Sequence, residues 1–190
     1  MKNSKAKGSA FERQISATLS KWWSKGKRDD IFYRSSSSGA RATSRAVKGK
    51  TTVNSAGDLC YLDADGEAFI KHFAVEIKRG YPGFEIQRFL DREPNSKLSI
   101  FEGWIQQAAQ SQADSGAQSW LIIVKKNRAK TLVILPECEF DFLINWENRN
   151  YPHIIVAGVL QKEYDDENYA DHVICLDLDD FLTNVNPEVI

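Results

Sequence analysis

The stretch that most limits the fold is Phe73-Ala74-Val75-Glu76-Ile77-Lys78. Its β-branched and aromatic residues predict a β-strand, and a strand this apolar belongs inside a sheet. Side chains alternate faces along a strand, so Glu76 and Lys78 share one face while Val75 and Ile77 share the other. An unpaired charge is costly inside a sheet. Two opposite charges placed there either neutralise each other at a strand end or do chemistry.

The surrounding sequence supplies partners for that strand. Residues 56–62 predict a strand with Asp58 at its start, 63–66 a turn, and 69–78 the returning strand, giving an antiparallel hairpin. The hairpin would bring Asp58, Glu76 and Lys78 to one end of the sheet. The spacing of Asp63, Asp65 and Gly66 does not fit a calcium loop, since glycine stands fourth rather than sixth. Upstream, Phe11, Ile15, Leu19, Trp22 and Trp23 recur at helical spacing and predict a helix over 9–24, with Ser9 and Glu12 as its capping box. Residues 31–34 predict a short strand. Downstream, Gly80, Pro82, Gly83 and Pro94 make 79–99 an irregular crossing with a short helix near 85–90. Phe101, Trp104, Ile105, Ala108 and Ala109 mark a helix over 99–115, ended by Gly116. Strands are expected over 119–124, 131–135, 154–160 and 173–178, with short helices over 137–145 and 179–184. The order α-β-β-β-α-β-β with additions predicts an α/β fold, a mixed central sheet flanked by helices.

Charge narrows the function. The formal net charge of -1 conceals an asymmetry: residues 1–50 hold 13 Lys+Arg against 3 Asp+Glu, and the acidic excess lies beyond them. A split of this kind points to one basic region that follows a polyanion backbone. From Arg34 to Lys50 there are five cations and no acid, among small hydroxyl residues able to approach a phosphate closely. Lys7, Arg34, Ser38, Arg41, Arg45, Lys48 and Lys50 are the candidate DNA contacts. No apolar run approaches the roughly 20 residues needed to span a bilayer. No signal-peptide core follows the basic N-terminus. Cys60, Cys138 and Cys175 show neither zinc spacing nor a disulfide framework, so buried free thiols and a cytoplasmic location are expected, with no membrane association.

Asp58 and Glu76 offer oxygen ligands without sulfur or imidazole. Such a set suits a hard cation, Mg²⁺ with Mn²⁺ able to substitute. A cation there lowers the pKa of water and neutralises charge building on a phosphate. A lysine beside it stabilises the transition state or orients the attacking water.

At these residues the chain resembles a known group of enzymes. Asp58 followed by Glu76-Ile77-Lys78 is similar to the D…(D/E)-x-K signature of the PD-(D/E)XK nuclease superfamily. Lys7-Gly8-Ser9-Ala10-Phe11-Glu12-Arg13, the polar loop from Arg34 to Gly39, and Trp104-Ile105-Gln106-Gln107 resemble in turn the first helix, the following loop and the glutamine-bearing helix of archaeal-type Holliday-junction resolvases and related phage endonucleases. The resemblance covers about residues 7–135. It implies a restriction-endonuclease-like core (αβββαβ) over about 8–135, with 1–7 as a basic flexible arm and 136–190 as a C-terminal extension of a single nuclease domain. It further implies that Glu12 assists the metal site, that Asp58, Glu76 and the Ile77 carbonyl bind the metal, that Lys78 is the catalytic lysine, that Gln107 is the motif glutamine, and that Ser38 lies near the scissile phosphate. The implied activity is Mg²⁺-dependent endodeoxyribonuclease action on branched DNA by a homodimer, in the host cytoplasm if phage-encoded. One departure stands out: Gly57 occupies the position that gives the motif its proline. Two other readings fit the same residues. One is a restriction-like, nicking or repair nuclease on duplex DNA. The other is a non-catalytic DNA-binding module whose Asp58, Glu76 and Lys78 form only a surface ion-pair cluster.

Overall fold

The computed structural model describes residues 4–35, 55–81, 99–144, 152–157 and 172–190. Helix α1 (Ser4–Trp23) buries Phe11, Ile15 and Leu19, spaced four apart along one stripe. On the same helix the buried Ser20 hydroxyl donates to the Ser16 carbonyl and accepts from the Phe32 amide at 2.9 Å, tying the helix to the first strand. The helix begins before the expected capping box. Ser9 and Glu12 lie inside it, and residues 4–7 are helical rather than a flexible arm.

Strands β1 (Phe32–Arg34), β2 (Ser55–Ala56) and β3 (Leu59–Tyr61) form a small antiparallel sheet in the order β1-β3-β2. The expected hairpin between 56–62 and 69–78 does not form. After a 3-10 turn (Ala64–Gly66), residues Glu67–His72 make a short helix, α2, and β4 (Phe73–Arg79) begins only at Phe73. The cause is visible in the spacing: Phe69 and Phe73 are four apart, and both pack inward from the helix and its C-cap, with ring centroids 5.5 Å apart. An aromatic cluster grows from this point. Phe69 meets Phe32 at 4.9 Å and Trp23 at 5.6 Å, and Trp22 meets Phe181 at 5.9 Å.

The larger sheet has five strands in the order β4-β5-β6-β8-β7: β5 (Ser119–Lys125), β6 (Thr131–Pro136), β7 (His153–Ala157) and β8 (His172–Asp177). Among the described strands of this sheet only β4 and β5 are parallel, with Glu76 beside Ile122 and Lys78 beside Val124. A parallel pair needs a crossover, and α3 (Ile100–Ser115) lies within that connection. Ser99 and Glu102 form a reciprocal capping box at the start of α3, and Gly116 closes its end in the left-handed conformation. Helices α4 (Glu137–Leu143) and α5 (Leu178–Asn184) follow β6 and β8. Phe140, Leu143, Phe181 and the inward residues of β8 belong to the same core as Phe11 and Val75. The result is a mixed sheet flanked by helices, as a restriction-endonuclease-like core requires.

All three cysteines are free, but only Cys175 is buried, and burial pushes its thiol up to about 12. Cys138 is exposed, against expectation. Among the described residues, no helix is long and apolar enough to cross a membrane.

Candidate active site

Strand β4 carries the centre of the site. It is buried along almost its whole length, so Glu76 and Lys78 are buried charges, at 0% and 7% exposure. Asp58 joins them at 6% exposure. The surface ion-pair cluster considered above is therefore ruled out as a description of these three residues.

Side chains from α3 fix the Glu76 carboxylate. Lys78 Nζ and Gln107 Nε2 both donate to Glu76 Oε2, each at 2.7 Å. Gln107 Oε1 accepts in turn from Lys78 Nζ at 2.9 Å, closing a three-residue ring. Ser111, one helical turn beyond Gln107, donates its hydroxyl to Glu76 Oε1 at 2.7 Å. Residues four apart on a helix lie on one face, so α3 presents two donors to the two oxygens of one carboxylate. Nothing in the sequence pattern singled out Ser111. The available signal was its i+4 spacing from Gln107.

Asp58 is placed by backbone. Gly57 makes an isolated parallel bridge to Val75, and the Asp58 amide donates to the Val75 carbonyl at 2.7 Å. The Ile77 amide then donates to Asp58 Oδ2 at 2.9 Å. The N–H and C=O of one strand residue leave on the same side, so the Ile77 carbonyl faces the Asp58 side of β4. Asp58 thus reaches the site through a parallel approach to the edge of β4, not through the expected hairpin. Ser35 supports the loop from the other side: its amide donates to the Asp58 carbonyl at 2.9 Å and its hydroxyl to the Gly57 carbonyl at 3.1 Å.

Gly57 is explained by this approach. Its φ is +70°, and a Cβ there would lie 2.3 Å from the Val75 carbonyl oxygen and 3.2 Å from Glu76 Oε1. Proline, locked near φ -65°, does not fit this backbone. The departure from the motif is a local solution for bringing Asp58 beside β4.

Glu12 and Arg34 meet each other. Arg34 Nε donates to Glu12 Oε2 at 2.8 Å, one residue before the Ser35 contacts that hold Asp58. The structure thus brings together Asp58, Glu76, Ile77, Lys78 and Gln107, and pairs Glu12 with Arg34. Lys7 is exposed on α1. Ser38, Arg41, Arg45, Lys48 and Lys50 lie outside the described residues.

The electrostatics of the cluster suit a cation. Burial pushes the Glu76 carboxyl above its ordinary range, and the negative charge of Asp58 adds to this, while Lys78 and Ser111 act in the opposite sense. With both carboxylates ionised, two buried negative charges face one buried ammonium, while Gln107 at the rim of the cluster is exposed. Among the described residues no group of three or more His, Cys, Asp and Glu side chains gathers to hold a metal. The protein's donors would be two carboxylates and a carbonyl, with water and phosphate oxygens filling the remaining positions. Mg²⁺, which keeps several waters and binds through one or two carboxylates plus substrate phosphate, fits such a set.

The profile of the family described as "Phage putative PDDEXK endonuclease" matches residues 3–190. No curated protein matches, and no solved structure matches.

Proposed function

The chain belongs to this phage PDDEXK endonuclease family, and on that premise we propose that it hydrolyses DNA phosphodiester bonds with Mg²⁺ held by Asp58, Glu76 and the Ile77 carbonyl. Mn²⁺ would substitute. The observation that carries this reading is the buried Asp58–Glu76–Lys78 cluster with Gln107 bonded to both Glu76 and Lys78. A buried carboxylate pair with only one ammonium is a poor way to stabilise a fold. It is a good way to hold a divalent cation beside a proton-carrying amine.

When bound, the cation would acidify water and neutralise charge on the phosphate. The other work falls to the chain. Lys78, oriented by Glu76 and Gln107, points its ammonium at the charge that builds as water attacks phosphorus and the P–O3′ bond breaks. The products are a 5′-phosphate and a 3′-hydroxyl. Gln107 keeps the ammonium from turning away. Arg34, at the root of the basic stretch, exchanges Glu12 for a DNA phosphate and leaves the Glu12 carboxylate to assist the site. Lys7 and the cations of 41–50, with Ser38, follow the DNA backbone.

We take all 190 residues as one nuclease unit acting on branched DNA as a homodimer in the cytoplasm of the host, because paired cuts across a four-way junction need two sites in one assembly. The test is cleavage of labelled duplex, nicked, flap and four-way-junction DNA in Mg²⁺, Mn²⁺ or EDTA, beside Lys78→Ala and Glu76→Ala. Metal-dependent paired cuts on the junction, lost in both variants, are expected. Cuts spread over duplex or flap would keep the nuclease and overturn the junction assignment. No cleavage of any substrate, with DNA binding intact, would overturn the catalytic reading.

A further inference from the structure

We infer that Ser111 is a positioning residue that aims one oxygen of Glu76 at the cation shared with Asp58. The inference rests on the metal-dependent reading above and adds a residue to it. The two oxygens of the Glu76 carboxylate are used differently. Among the described residues, Oε2 accepts two hydrogen bonds, from Lys78 and Gln107, while Oε1 accepts one, from Ser111. A carboxylate oxygen has two lone-pair directions. Oε2 is therefore full, and Oε1 keeps one direction open.

Oε1 also lies against the loop that carries Asp58. A Cβ built on Gly57 would lie 3.2 Å from it, and Gly57 immediately precedes Asp58. The carboxylate thus divides its labour: Oε2 orients the lysine, and Oε1 keeps a lone pair for the cation. The terminal torsion of a glutamate is broad and roughly two-fold, so it does not hold this orientation unaided. Gln107 pins one oxygen and Ser111 the other from the same face of α3. With Ser111 removed, the carboxylate keeps its Lys78 and Gln107 bonds but swings about them, and Oε1 loses its aim. Ser111 touches neither substrate nor cation. It acts through Glu76.

The experiment uses the full chain stripped of metal and titrated with Mn²⁺, reading free Mn²⁺ by its electron paramagnetic resonance signal. Wild type, Ser111→Ala and Ser111→Thr are compared. Loss of a group that orients a metal ligand typically weakens affinity about 10-fold or more. The alanine variant is expected to bind Mn²⁺ about tenfold more weakly, and its cleavage rate to recover at saturating metal. Threonine, which keeps the hydroxyl, is expected to restore affinity to within about twofold of wild type. DNA affinity in EDTA is expected to be unchanged in all three. Wild-type Mn²⁺ affinity in Ser111→Ala would overturn the role, as would a threonine variant no better than alanine despite an unchanged melting temperature. If wild type itself binds no Mn²⁺, the metal-dependent reading falls, and this role falls with it.

Discussion

Glu76 and Asp58 meet at one point of the molecule but are held there in different ways. Glu76 stands in the middle of a strand that pairs with β5 along all seven residues, and three side chains from β4 and α3 grip its carboxylate. Asp58 stands between two short strands of the small sheet, and it is placed by main-chain hydrogen bonds to Val75, Ile77 and Ser35. The first arrangement spreads its positioning over several side chains. The second concentrates it in backbone geometry at Gly57. One half of the site should therefore be weakened but not dismantled by the loss of a single contact, and the other should not tolerate a single added carbon.

Gly57→Ala tests this difference most severely. The new methyl combines a left-handed backbone, worth about 1–2 kcal/mol for a residue with a Cβ, with overpacking of about 1–3 kcal/mol. A loss of about 3 kcal/mol is expected, lowering the melting temperature by roughly 6–12 °C, together with loss of cleavage. A variant with wild-type melting temperature and activity would break the claim that Asp58 depends on the backbone at residue 57.

Glu76→Gln has a smaller effect, of opposite sign. In the folded protein the Glu76 carboxyl is shifted upward by burial first and by the charge of Asp58 second. A carboxyl whose folded value lies above its unfolded one holds its proton more tightly when folded. Its ionisation then costs stability as pH rises from the unfolded value through the folded one. Glutamine removes that cost. It can still accept from Lys78 and Gln107 on its oxygen and donate its amide to the Ser111 hydroxyl. In EDTA, the variant and wild type should melt together near pH 4, and the variant should melt higher at pH 7 while being inactive. A pH-independent difference, or a lower melting temperature at pH 7, would mean that Glu76 is a structural ion-pair partner of Lys78.

Much of the Glu76 half could be read from the sequence, because it is made of local patterns. The apolar run 73–78 gave β4 its burial, the stripe through Phe101, Trp104, Ile105 and Ala108 gave α3 its face, and Gly116 gave its end. The Asp58 half was less legible. Residues 69–72 read as an extension of the strand because Phe69 and Ile70 suit either element, and only their packing against Trp23, Phe32 and Phe73 decides for a helix. The motif names Asp58 but not the route by which it arrives. Gly57 looked like a defect because the atoms it makes room for, the Val75 carbonyl and Glu76 Oε1, are distant in sequence. Ser35 was invisible for the same reason, and Ser111 showed only its spacing of four from Gln107. A lone serine carries no periodic signal, and its role exists only once two elements have docked.

The two carboxylates, held so differently, are expected to share one cation. The most direct measurement is the thermal unfolding of wild type and Asp58→Asn with increasing Mg²⁺. A ligand at about a hundred times its Kd stabilises by about 2.7 kcal/mol, roughly 5–10 °C for a chain of this size. Wild type is expected to show a rise of that order, and Asp58→Asn much less. Equal rises in the two proteins would contradict a shared site.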